Sequence, residues 1–205
     1  MVHAFTLRSA HLHGNALAEQ AALRHRVFVE QRGLDHTSVD GLEYDAFDTP
    51  AATYLVWRDA QGVVRGLVRL LPTTLPYMLE QYWTFLVADG ALPKSQDVWE
   101  ITRVCVDRTV HPRHRRRILP ELLCATQDWL RDHGVTTMIG VTRRHLLSHF
   151  VRTDVTWLGD DALIEGQMEA AFSVPTAAIR PVAHCTQLGI HGRVLRTRPS
   201  ARRAA

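Results

Sequence analysis

"VWEITRVCVD" (residues 98–107), followed by "RRRILPELLCATQDWLRDHG" (115–134) and "VTTMIGVT" (135–142), decides the fold. The first segment alternates like a strand. The second reads as a helix with Pro120 in its early turns and Gly134 at its end. The third reads as another strand. Upstream, "ATYLVWR" (52–58) and "VVRGLVRLLP" (63–72) are two strands joined by the turn "DAQG" (59–62), a hairpin signal. "HAFTL" (3–7) is a short first strand. "NALAEQAALRHRVFVEQRG" (15–33) sets Leu17, Ala21, Val27 and Phe28 among charges, the pattern of an amphipathic helix ended by Gly33. Residues 34–50 are expected as a loop, and 73–93 as irregular or briefly helical because prolines and Gly90 interrupt them. Downstream, "RRHLLSHFVR" (143–152) predicts a helix, and "DVTWLGD" (154–160) and "MEAAFSVP" (168–175) predict strands. Strands alternating with helices around a hairpin predict one three-layer α/β/α domain with a mixed central sheet.

Composition bounds what this fold does. At 205 residues, 46% hydrophobic and 22% charged, the chain fits one globular domain. No apolar run approaches the roughly 18 residues of a membrane span, and "MVHAFTLRSAHLHG" is unlike a signal peptide. Neither membrane insertion nor a leader is expected. Three sparse cysteines, Cys105, Cys124 and Cys185, point to the reducing cytoplasm. The 12 histidines are scattered, so no metal site is expected. A net charge of +3 is too small to imply nucleic acid. Arginines crowd "RTVHPRHRRR" (108–117) and the C-terminal end, which predicts a domain over 1–190 and a basic, disordered tail over 191–205.

Against this basic background, "GLEYDAFDTP" (41–50) packs Glu43, Asp45 and Asp48 into six residues, with Tyr44 and Phe47 between them. Two readings stand. The segment is an anionic pocket with aromatic walls, suited to a small organic cation, or its acids balance nearby arginines in a structural network.

Three stretches now line up in order: Arg24, Phe28 and Glu30 in "LRHRVFVEQRG"; Glu43, Asp45 and Asp48 in "EYDAFD"; and Arg69 in "VRLLPTTLPYML" through Glu100 and Arg103 in "WEITRVCVD". Over residues 5–160 this set closely resembles the LuxI-type acyl-homoserine lactone synthases, the autoinducer synthases of bacterial quorum sensing. Seven charged positions carry the likeness: Arg24, Glu43, Asp45, Asp48, Arg69, Glu100 and Arg103. One departure is Leu34, where the family usually has a tryptophan.

The resemblance implies a fold like that of the acetyltransferases related to histone acetylases, the GNAT fold. It implies S-adenosylmethionine and an acyl thioester as substrates, an N-acyl-homoserine lactone and methylthioadenosine as products, and no metal or redox cofactor. Arg24, Phe28, Asp45, Asp48, Arg69 and Arg103 would then bind S-adenosylmethionine, and Glu43 would order the loop. Asp45 and Asp48, on a mobile loop, would take the ammonium or ribose hydroxyls through charge-assisted hydrogen bonds. Phe28 would offer its face to the sulfonium.

Glu100 is the candidate base that takes the amine proton, if burial raises its pKa; the alternative is a salt bridge at a sheet edge. Strand alternation puts Glu100 with Thr102 on one face, opposite Trp99, Ile101 and Arg103, so that Arg103 reads as a loop anchor. Lactone closure is an internal displacement that needs held geometry and no enzyme nucleophile, which makes Cys105 a core residue. Met78, Leu79, Trp83, Phe85, Thr142, Leu146 and Phe150 are candidates for an acyl pocket. Arg113, Arg115, Arg116 and Arg117 are candidates for docking the donor, which is acyl carrier protein or coenzyme A, the carrier protein being favoured.

Two rivals remain. An N-acetyltransferase of the same fold would grip coenzyme A with a glycine-rich loop at a helix N-terminus, where this chain has "VDRTVHPRHRRRIL". A nucleic-acid module would explain the arginines but not the ordered acids, and lacks interleaved aromatics.

Overall fold

β6 (Val98–Val106) lies near the middle of one mixed sheet and carries the candidate residues Glu100 and Arg103. A computed structural model describes residues 1–88, 92–147, 154–179, 188–190 and 192–196. The sheet takes in β1 (Val2–Thr6), β4 (Thr53–Arg58), β5 (Val64–Pro72), β7 (Thr137–Thr142), β8 (Thr156–Trp157), β10 (Gln167–Pro175) and β11 (Leu195–Arg196). Their order is β11-β1-β4-β5-β6-β7-β10-β8, with β9 (Ala162–Ile164) also paired to β10. β6–β7 and β1–β11 run parallel and the other pairs antiparallel. The expected hairpin is β4–β5.

Two layers cover the sheet. On one face α1 (Ala16–Arg24) and its continuation bring Leu23, Val27 and Phe28 onto Leu67, Leu71 and Cys105. On the other, α3 (Pro112–Asp132) lays Ile118, Leu122 and Ala125 on Leu55, Val68, Leu70 and Ile101. Each fully buried leucine contributes roughly 1.5–3 kcal/mol. Gly66 sets the approach of α3, because a Cβ there would stand 2.4 Å from Ile118 Cγ2. The three-layer α/β architecture is therefore as expected. Among the described residues no helix is long and apolar enough to cross a membrane.

Several local expectations need correction. The first helix does not run evenly to Gly33. It widens into a π-helical turn at His25–Glu30, after which Gly33, at φ +68°, lets the chain leave. The expected loop at 34–50 contains the small hairpin β2 (Ser38–Val39) and β3 (Leu42–Glu43). α3 starts earlier than expected, capped by His111 with Pro112 in its first turn, so Pro120 falls in its interior. The short α2 (Met78–Tyr82) and α4 (Arg144–Leu147) fall where helix was predicted, while residues 148–152 lie outside the described residues. Within the expected tail, Leu195 and Arg196 pair with Val2 and His3 on the sheet edge, and Leu195 is buried. Residues 197–205 lie outside the described residues.

Candidate active site

A single bulge builds the site. Between the pairs Arg69↔Thr102 and Leu67↔Cys105, β6 carries one more residue than β5. Arg103 absorbs it at φ +51°, a conformation that side-chain-bearing residues avoid. Beyond it the β6–β7 ladder has already ended at Ile101↔Gly140. The gap between the parted strands opens into a cavity of about 1110 Å³, lined among others by Thr102–Val106 and by Val141 and Thr142.

The bulge overturns one expectation. Trp99 and Ile101 do face α3, as alternation requires. Arg103 does not join them. It turns back to the Glu100 side, where its Nη2 donates to Glu43 Oε1 at 3.1 Å and lies 2.6 Å from Asp45 Oδ2.

Glu100 is fully buried. Among the described residues it has no ion-pair partner; its two oxygens accept the backbone N–H groups of Met78 and Leu79, each at 2.8 Å. Burial pushes its pKa up to about 7, although the two N–H bonds and the nearby Arg69 and Arg103 charges pull it down. Glu100 lines the cavity with Phe28, Arg103, Met78 and Trp83. This is the environment that makes a carboxylate a base near neutral pH.

Behind the wall lies a second, sealed layer. Arg24 and Arg69 are both fully buried. Arg24 Nε donates to Glu43 Oε2, and its Nη1 donates to Asp48 Oδ1 at 2.8 Å. Arg69 donates to Asp45 Oδ1 and Oδ2 and to Asp48 Oδ1, and its Nε reaches Thr102 Oγ1 at 3.0 Å. Asp48 also accepts from Tyr54 Oη at 2.7 Å and from the Asp45 N–H at 2.7 Å. Burial alone would raise the Glu43 and Asp48 pKa values. The His36 ring 3.4 Å from Glu43 and the Arg24 hydrogen bond to it, and for Asp48 the Arg24 hydrogen bond beside the Arg69 charge, instead hold both at about 2.

The structure thus divides the sequence candidates. Phe28, Glu100 and Arg103 meet on the cavity wall; Arg24, Glu43, Asp45, Asp48 and Arg69 form the layer behind it. The loop expected to be mobile is locked, with the Asp48 side chain only 6% exposed. The Phe28 ring already meets cations: the Arg103 and Arg32 guanidinium carbons stand 5.5 and 5.6 Å from its centroid. Cys105 is core, its thiol pushed up to about 12 by burial.

Of the acyl-pocket candidates, Met78, Trp83, Thr142 and Leu146 line the cavity. Leu79 does not, because its side chain is sealed in the core, and Phe85 points to solvent. Phe150 lies outside the described residues. Sequence reading missed Leu119, Leu123, Met138, Phe172 and Ile179, cavity residues that no motif distinguishes from ordinary core. The arginine cluster divides as well. Arg115 lines the cavity together with Arg108, whose carbonyl it holds at 2.7 Å. Arg117 turns away to Glu121, and Arg113 and Arg116 are exposed.

Comparison with known proteins agrees with this geometry. A family model described as autoinducer synthase matches residues 9–159. The isovaleryl-homoserine lactone synthase of Bradyrhizobium diazoefficiens is 31% identical over 85% of this chain and 79% of its own length. An acyl-homoserine-lactone synthase of Pseudomonas aeruginosa is 32% identical over 78% and 79%. The coenzyme A-dependent acyl-homoserine lactone synthase BjaI, solved with S-adenosylmethionine and isopentyl-coenzyme A, superposes with a TM-score of 0.82 and 28% identity, covering 96% of this chain and 92% of that one. The chain belongs to the autoinducer synthase family, the acyl-homoserine-lactone synthases.

Proposed function

We propose that the chain acylates the amine of S-adenosylmethionine from an acyl-coenzyme A and closes the product to an N-acyl-homoserine lactone. The observation that carries this reading is Glu100: a fully buried carboxylate with no ion-pair partner among the described residues, on the wall of a large cavity, with its pKa raised to about 7. The amine attacks the thioester carbonyl, its proton passes to Glu100, the C–S bond of the thioester breaks, and coenzyme A leaves as the thiolate. The methionyl carboxylate then attacks the carbon bonded to the sulfonium, the C–S bond breaks, and methylthioadenosine departs. That second step is intramolecular and needs only held geometry.

Arg103 and Phe28 are the contacts this reading gives to S-adenosylmethionine, with Asp45 and Asp48 acting through Arg24 and Arg69. Arg108 and Arg115 serve the coenzyme A phosphates. Coenzyme A replaces the carrier protein favoured by sequence, because BjaI is coenzyme A-dependent and the cavity-facing arginines suit a small polyanion. A short branched acyl group is supported by the isovaleryl and isopentyl groups of the two relatives. The free, buried thiol of Cys105 supports a cytoplasmic setting. The test is mass spectrometry of the products from pure protein, S-adenosylmethionine and a panel of acyl-coenzyme A and acyl-carrier-protein donors. Lactone and methylthioadenosine in equal amounts are expected from a short-chain coenzyme A thioester. Absence of methylthioadenosine with every donor would refute the reading.

A further inference from the structure

Glu165 sits where a glutamate is out of place. The β9–β10 hairpin pairs Ile164 with Gln167, which leaves Glu165 and Gly166 as a two-residue turn at φ +49° and +75°. Such turns favour Asn, Asp or Gly at the first position, because a longer side chain fits the left-handed region poorly. The Glu165 carboxylate nevertheless spans 129 residues of sequence to meet His36 Nε2 at 3.0 Å. The other ring nitrogen, Nδ1, stands 3.4 Å from Glu43 Oε1, the oxygen that Arg103 also holds.

His36 therefore joins three segments at the cavity wall: the turn after β9, the acidic layer through Glu43, and the Phe28 ring, whose centroid is 5.8 Å from its own. Its side chain is only 14% exposed. The charged groups facing it are Glu43 from β3, Glu165 from the turn and Arg103 from β6, while Arg32 and Glu169 line the same cavity.

We propose that His36 is a positioning residue for S-adenosylmethionine: as an imidazolium it clamps the Glu165 turn onto Glu43 and so fixes the wall that carries Arg103 and Phe28. The proposal rests on the S-adenosylmethionine reading above. Backbone strain at Glu165 is the independent sign, since such strain persists where the surroundings impose it. The contact to Glu43 raises the His36 pKa, burial opposes it, and Glu165 raises it further, so the ring is cationic beyond the ordinary imidazole range. The clamp is then complete at low pH. It is lost as pH rises through that raised value, above about 6.5.

His36→Gln and Glu165→Asn test the clamp. Asn is at ease in the turn, so the second variant relieves the backbone while removing the carboxylate, and its melting temperature should hold or rise. Two measurements read the outcome: hydrogen exchange of residues 162–169 without ligand, and calorimetric affinity for S-adenosylmethionine, both at about pH 6.5 and about pH 8.5. At the lower pH both variants should exchange faster and bind at least about fivefold more weakly than wild type. The wild-type-to-variant affinity ratio should fall towards one at the higher pH, and kcat should stay within about twofold. Titration of the substrate amine and of Glu100 is common to all three proteins and cancels in that ratio. Unchanged exchange, or an affinity ratio equal at both pH values, overturns the clamp. If wild type fails to bind S-adenosylmethionine at all, the substrate reading fails, and hydrogen exchange still decides the clamp.

Discussion

Arg69 grips Asp45 with both terminal nitrogens, Nη1 to Oδ1 at 2.6 Å and Nη2 to Oδ2 at 2.8 Å. This two-pronged pairing fixes orientation as well as distance. It ties β5 to the acidic loop inside a layer where Arg24, Arg69 and Arg103 face Glu43, Asp45 and Asp48. Three cations meet three anions, so the acids are already matched. On the proposed reading they act on S-adenosylmethionine by setting where Arg103 stands.

Breaking that layer should cost stability. Asp48→Asn leaves Arg24 and Arg69 short of an anion in a nearly sealed site, and removing one partner of a buried pair costs about 3–5 kcal/mol. Urea unfolding should show the midpoint falling by a corresponding amount with the slope unchanged. A midpoint matching wild type would mean that the loop is not locked.

Acid should find the same weak point. Glu43 and Asp48 are held at about 2 when folded, against 4.5 and 3.8 otherwise. Groups with depressed pKa values stabilise the fold above their ordinary values and lose that contribution as pH falls through the folded ones. Melting temperature should therefore drop between about pH 4 and about pH 2. Asp48→Asn should flatten this limb, and an unaltered limb would assign acid unfolding elsewhere.

The bulge separates backbone from side chain at one position. Glycine tolerates the φ of +51° seen at Arg103. Arg103→Gly should keep β6 and the cavity while removing the guanidinium from Glu43 and Asp45, and raise KM for S-adenosylmethionine at least about tenfold. Steady-state kinetics read this directly. Equal KM values would mean that Arg103 serves only the loop.

The sheet and its main helices were legible because Val98–Val106, the 53–72 hairpin and the 112–132 helix carry periodicity that tertiary packing reinforces. Arg103 was misplaced because a bulge is a one-residue event whose signature, a positive φ, leaves no composition mark when arginine occupies it. β2, β3, β9 and β11 are only two or three residues long, too short for period-two alternation to register. The charged site residues stood out because buried arginines and acids need one another. The cavity's apolar lining did not, since Leu123 or Phe172 facing a cavity is chemically identical to the same residue facing a neighbour.

Donor choice is read at the start of α3. Arg115 lines the cavity, whereas Arg113 and Arg116 are exposed. Arg115→Glu should raise KM for an acyl-coenzyme A several-fold with kcat within about twofold, while Arg113→Glu changes neither. The reverse pattern, with a carrier-protein donor preferred and sensitive to Arg113, would restore protein docking as the role of this cluster.

The most direct measurement of the central claim is the pH dependence of kcat for wild type and Glu100→Gln, followed through methylthioadenosine release. Glu100 must lose its proton to act as a base, so wild-type kcat should rise with pH through about 7. Glu100→Gln should lower kcat by about 10²–10⁴ and abolish that limb, leaving only the titration of the substrate amine. A loss of tenfold or less, with the limb near pH 7 intact, would contradict Glu100 as the base.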